Sequence, residues 1–195
     1  MKESKLLLIP GPTPVVNRIL EVLSKPTVSH LSPEMERELS GAVENMKKIV
    51  RTKDGQPFIL AGAGTLAMEI ALLNITADSD HLLILSQGYF GQRMAEIAEA
   101  FDLRYRLLQS PWGKVVGADE LRSELKKHKY EVVVCTHVDT ATGSCAPVEL
   151  YSEIIKQEAP EVLLVVDGVC ATGGIEENLD SWGIDVILTA AQKCL

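Results

Sequence analysis

The sequence predicts an α/β fold, a three-layer sandwich in which helices cover both faces of a mostly parallel sheet. Two observations carry the prediction. Short unbroken runs of Val, Leu and Ile recur along the chain, as in HLLIL (81–85), EVVVCT (131–136) and EVLLVVD (161–167). Strands lacking polar alternation are those buried on both faces. Between the runs lie segments with the three- to four-residue apolar spacing of amphipathic helices. Strand and helix therefore alternate, as parallel crossovers require.

Two helices come first. After the Pro10-Gly11-Pro12 turn, Val15, Val16, Ile19, Leu20 and Leu23 form a helical stripe within 15–24. Ser32-Pro33-Glu34 supplies an N-cap, a proline at the first helical position and an early acid. The helix it starts runs to about Val50, and Thr52-Lys53-Asp54-Gly55 is a turn. Six strands are expected next. PFILA (57–61) leads into TLAMEIALLNI, HLLIL into GQRMAEIAEAF, LRYRLL (103–108) into ADELRSELKKH, and EVVVCT into VELYSEIIKQE. EVLLVVD precedes a glycine-rich stretch, and DVILT (185–189) completes the set. The implied division is an N-terminal arm with helices over 1–50 and one sheet-containing domain over 51–195. No linker, repeat or low-complexity segment interrupts it.

Composition narrows the class. The 195 residues are 46% hydrophobic and 24% charged, globular values in a chain long enough for a sizeable core. A formal charge of −8 argues against a nucleic-acid partner. The longest apolar runs fall far short of the ~20 residues of a membrane span. In MKESKLLLIPGPTP the apolar stretch after the lysines is too short for a secretory signal. A cytoplasmic protein is the expectation. Cys135, Cys145, Cys170 and Cys194 show no CxxC spacing, so neither a zinc site nor a redox pair is indicated. They are expected mainly as small buried apolar residues.

In such folds ligands lie beyond the carboxyl ends of the strands. The first expected strand ends in AGAGTLAME (61–69), where glycines at a helix N-terminus let backbone N–H groups approach a phosphate. A tight turn explains the glycines equally well. Gly62-Ala63-Gly64-Thr65-Leu66-Ala67 also fits a dinucleotide fingerprint, but Ile84-Leu85-Ser86-Gln87 has no acid for the ribose, which counts against NAD. SQGYFGQR (86–93) offers Phe90 or Tyr89 to stack on a flat ring. THVDTATG (136–143) clusters hydroxyls, an imidazole and a carboxylate; His137 alone is more readily structural. Asp167 follows a fully apolar run, where a carboxylate needs a cationic partner such as a metal, an arginine or a protonated heterocycle. Lys193 follows the last strand, and a lysine in a dry pocket can form a Schiff base with a carbonyl compound. One ligand with a phosphate, a flat ring, a basic ring nitrogen and an aldehyde answers all these features: pyridoxal 5′-phosphate.

The chain resembles the class V aminotransferases of the fold-type I pyridoxal-phosphate enzymes, and within them the alanine–glyoxylate and serine–pyruvate group. The resemblance runs through PGPTP (10–14), SHLSPEM (29–35), AGAGTLAMEIAL (61–72), GYFGQR (88–93), THVDTATG (136–143), VVDGVCATGG (165–174) and AAQKCL (190–195). It implies that Ala63, Gly64 and Thr65 cradle the cofactor phosphate and that Phe90 stacks on the ring. Thr140, Ala141 and Thr142 would lie at the cofactor's edge, alanine at 141 removing one hydrogen bond that a hydroxyl residue would give. Asp167 would pair with the ring nitrogen, Val169 would pack on the ring, Gln192 would reach the cofactor and Lys193 would carry it. Gly11 would approach the substrate, and no metal is implied.

The resemblance further implies a homodimer transferring an amino group between a small amino acid and a small 2-oxo acid. A small C-terminal domain, bearing the arginine for the substrate carboxylate, is expected beyond residue 195. Two rivals remain. Another reaction on the same scaffold, such as cysteine desulfuration, is disfavoured by Gln192, because desulfurases usually carry histidine before the lysine. The second is a non-enzymatic fragment without cofactor.

Overall fold

The computed structural model describes residues 6–77 and 81–195. Lys2 and Lys5, which precede the first apolar stretch, lie outside them. Helix α1 (Asn17–Leu23) is followed by α2 (Pro33–Val50), α3 (Gly64–Ile75), strand β1 (His81–Ser86) and α4 (Tyr89–Ala100). Then come β2 (Arg104–Gln109), α5 (Ala118–Lys127), β3 (Val132–Thr136) and α6 (Val148–Glu158). β4 (Leu163–Asp167), the short α7 (Leu179–Trp182) and β5 (Val186–Leu188) complete the order.

The sheet runs β2-β1-β3-β4-β5 and every pair is parallel. Successive residues point to opposite faces, so each buried strand feeds two cores. Leu83, Leu85, Val133, Cys135, Leu164 and Val166 pack with α5 and α6. Leu82, Ile84, Val132, Val134 and Val165 pack with α3 and α4. This is the doubly covered parallel sheet that the unbroken Val/Leu/Ile runs imply. Edge strand β2 keeps an in–out rhythm, with Arg106 turned to Glu124 on α5 at 2.6 Å; charge on an edge discourages further pairing. Gly91 allows α4 to lie directly on β1, since a Cβ there would sit 2.6 Å from the Ser86 Cα.

Helix α2 starts and stops as its sequence predicts. Ser32 Oγ accepts from the Met35 N–H at 3.2 Å, and Pro33 opens the first turn. Its far end is tied to the sheet domain. Asp180 accepts from Thr52 Oγ1 at 2.6 Å and from the Lys53 N–H at 2.8 Å, and Arg51 pairs with Glu176.

Two expectations fail. PFILA (57–61) is not a strand, so the described sheet has five strands rather than six. Phe58 is 80% exposed, and Ile59 and Leu60 are exposed too. Pro57 removes a ladder donor, and the turn before Gly64 leaves too few residues to pair. The helix expected within 15–24 forms as α1, with Ile19, Leu20 and Leu23 of its stripe exposed. Of the cysteines only Cys135 is buried; Cys145 and Cys194 are exposed, Cys170 lies partly open, and all four are free.

Candidate active site

The chain winds from β1 outward to β2 and then returns to place β3 on the other side of β1. At such a switch point the loops leaving two adjacent strands diverge and open a crevice. A cavity of about 130 Å³ occupies this end of the sheet. Ala63, Gly64, Thr65 and Met68 contribute from the start of α3, and Phe90 from the start of α4. Val138 and Thr140 follow β3; Asp167, Val169 and Cys170 end and follow β4; Gln192 and Lys193 follow β5.

Its floor is acidic. Asp167 is 2% exposed at the end of β4. Its carboxylate accepts the Val169 N–H at 3.0 Å and, at 3.5 Å, the Thr136 hydroxyl. Burial is the main cause that raises its pKa from 3.8 to about 6, with the Val169 and Thr136 hydrogen bonds opposing and Asp139 and Glu177 adding to the rise. Among the described residues no lysine, arginine or histidine forms an ion pair with it. A carboxylate in that position favours a cation brought in by a ligand.

Lys193 closes the opposite side. Its Nζ donates to the Pro10 carbonyl at 2.8 Å and to Thr140 Oγ1 at 3.4 Å. The N-terminal arm straps the segment down: the Thr13 N–H donates to the Gln192 carbonyl at 2.9 Å, and Thr13 Oγ1 donates to the Lys193 carbonyl at 2.9 Å. Gly11 makes the approach possible. Its φ is +135°, and a Cβ would lie 2.6 Å from the Lys193 Nζ. Thr140 Oγ1 also lies 2.6 Å from the Cys170 thiol.

The third wall is the N-terminus of α3. Ala63 occupies the N-cap without a side-chain hydrogen bond, so the first N–H groups face the cavity uncapped, a favourable seat for an anion. At Gly64 a Cβ would come within 3.4 Å of Gln192 Nε2 and of Val169 Cγ2. Phe90 lies at the mouth, in edge contact with Tyr89 at 5.2 Å between ring centroids.

Nine of the residues expected at a cofactor thus line one cavity, and Gly11 touches it through Lys193. Thr142 does not line it. Its hydroxyl is engaged in the loop after β3, 2.5 Å from Ser144 Oγ and 3.3 Å from the Gln87 carbonyl. His137 is structural: buried, it meets Glu177 at 2.7 Å through Nδ1 and touches the Trp182 ring edge. Asp139 lies in the 136–143 run with no role assigned by the sequence, and Met68, Val138 and Cys170 carry no site motif of their own. The D-x-x-T spacing of Asp139 and Thr142 after a strand, an Asx-turn signal, could have marked Asp139.

These walls fit pyridoxal 5′-phosphate. Among the described residues, a buried carboxylate without a cation, an amine free of ion pairs, an uncapped helix N-terminus and an aromatic ring surround one space. The donor set is that of an anionic, cationic and carbonyl-bearing ligand combined.

The sequence model of the class V aminotransferases matches residues 12–195. An L-aspartate–glyoxylate aminotransferase of Paracoccus denitrificans is 32% identical over 196 residues, covering 99% of this chain and 50% of that protein. Alanine–glyoxylate aminotransferase 1 of Saccharomyces cerevisiae is 32% identical, covering 100% of this chain and 52% of its own. The crystal structure of ureidoglycine–glyoxylate aminotransferase from Bacillus subtilis superposes with a TM-score of 0.89 at 29% identity, covering 99% of this chain and 50% of that one. The chain spans about half the length of the relatives it matches. Among the described residues no helix is long and apolar enough to cross a membrane.

Proposed function

The chain belongs to the class V aminotransferase family, and from that footing we propose that it forms the cofactor-holding half of a pyridoxal 5′-phosphate enzyme. The reaction moves an amino group between a small amino acid, alanine or serine, and a small 2-oxo acid, glyoxylate or pyruvate. The glyoxylate-directed names of several relatives favour that acceptor. One observation carries the reading furthest: the cation-free Asp167 and the amine of Lys193 face the same cavity from adjacent strand ends.

When bound, the cofactor supplies an electron-withdrawing ring that accepts negative charge from the substrate Cα. Asp167 holds the proton on the ring nitrogen. Its burial keeps the carboxylate available for that one partner. Lys193 would hold the aldehyde through Nζ, and its amine would serve as general base and acid for the substrate Cα proton. The Gly64 and Thr65 N–H groups orient the phosphate, and Phe90 excludes water from one ring face. The enzyme works as a cytoplasmic homodimer.

The test is borohydride reduction of the full-length protein with pyridoxal 5′-phosphate, followed by peptide mass mapping. Irreversible labelling of Lys193 is expected. A protein that remains colourless and unlabelled excludes the enzyme and leaves the non-enzymatic reading.

A further inference from the structure

Asp139 is fully buried, and no described lysine, arginine or histidine pairs with it. Its charge is met by N–H groups instead. Oδ2 accepts the Phe90 N–H at 2.8 Å; Oδ1 accepts the Ala141 N–H at 2.9 Å, the Thr142 N–H at 3.1 Å and the Thr142 hydroxyl at 3.4 Å. Its own N–H donates to the Ser144 carbonyl at 3.1 Å, so backbone and side chain are both fixed. Such charge-assisted bonds are roughly twice as strong as neutral ones.

Phe90 is the second residue of α4, and the N-cap, Gly88, has no side chain to satisfy the early N–H groups. Asp139 provides that cap from across the switch point. Gly88 leaves the required space, because a Cβ there would stand 2.4 Å from Asp139 Oδ1. The two cavity walls are thus joined through one carboxylate: Phe90 on the β1 side, and Thr140, between Asp139 and Ala141, on the β3 side. Thr140 in turn touches Lys193 and Cys170.

We propose that Asp139 is a positioning residue that sets the Phe90 ring over the cavity and fixes the Thr140 hydroxyl beside Lys193. It acts through Phe90 and Thr140 without touching the reacting atoms. The inference rests on the reading of Phe90 as the wall against the cofactor ring.

A double-mutant cycle in the full-length protein tests it. Asp139→Asn keeps the side-chain shape but removes the charge and turns one acceptor into a donor. Pyridoxal 5′-phosphate affinity and the circular dichroism of its visible band are measured for the wild type, Asp139→Asn, Phe90→Ala and the pair. Asp139→Asn is expected to weaken binding about tenfold and diminish the band. On the Phe90→Ala background the same change should weaken binding less than about threefold, since the ring it positions is gone. Amide exchange at Phe90 gives a cofactor-free readout, expected about tenfold faster in Asp139→Asn while Ile84 and Val134 keep their protection. Should Asp139→Asn not fold, Gly88→Ala, which crowds the carboxylate, replaces it in the cycle. Equal losses on both backgrounds, or an unchanged Phe90 amide, overturn the inference alone. Wild-type protein that takes up no cofactor sinks the proposed function and this inference with it.

Discussion

Two buried aspartates sit at the ends of neighbouring strands and face different demands. Asp139 receives three backbone N–H groups and a hydroxyl. Asp167 receives one N–H and a distant hydroxyl. The first carboxylate is satisfied by the protein and ties two loops together. The second is left under-satisfied and points into a cavity shared with an amine. Burial alone therefore does not mark a functional acid. The number of donors that meet it does.

Replacing Asp167 should separate the two most sharply. Asp167→Asn is expected to lower turnover of the full-length enzyme at least ~100-fold by weakening control of the ring-nitrogen proton. Thermal stability of the cofactor-free protein at pH 8 should hold or rise, because a buried charge is removed. Steady-state kinetics and calorimetry would check both; a large fall in melting temperature would place Asp167 in the same class as Asp139.

The mirror expectation concerns stability. Asp167, raised from 3.8 to about 6 mainly by burial, binds its proton more tightly folded than unfolded. Between those values the native state holds more protons, so rising pH removes stability. Its contribution is fully present below the unfolded value and lost above about 6, roughly 3 kcal/mol in all. Denaturant titrations of wild type and Asp167→Asn from pH 4 to 7 should converge in acid and diverge toward neutrality. Parallel curves would deny Asp167 its shift.

Asp139→Asn should instead cost about 2 kcal/mol at neutral pH, through lost charge-assisted bonds. Equilibrium unfolding reads this directly, and an unchanged midpoint would show that those N–H groups find water as readily.

The smallest effect is expected at the arm. Gly11→Ala pushes a methyl group against the Lys193 Nζ. The arm can shift to relieve it, so reductive labelling at Lys193 should slow about tenfold, with stability changed by less than about 1 kcal/mol. Labelling at the wild-type rate would mean that the arm does not constrain the amine.

Much of this was legible in the residues. The runs at 81–85, 131–136 and 161–167 could be only double-faced strands, and Asp167 and Lys193 stood out as charges directly after apolar stretches. PFILA misled because an apolar run states a need for burial without naming the neighbour that supplies it. Asp139 was harder to read than Asp167. Its partners are backbone N–H groups, which every residue carries, and the decisive one belongs to Phe90, 49 residues away. Thr142 sits in a motif whose hydroxyls look alike in sequence, and only the turn geometry sends one to Lys193 and another to Gln87.

The strap from the arm to Lys193 has a consequence for assembly. Thr13 and Lys193 are 180 positions apart, so the bond between them closes a loop that contains the entire sheet. Loop-closure entropy grows slowly with length, about 0.6 kcal/mol per doubling, but long-range contacts of this kind form late. The place of the amine therefore depends on two segments that only the intervening sheet brings together. The position of the Lys193 amine is thus a property of the whole sheet rather than of its last strand.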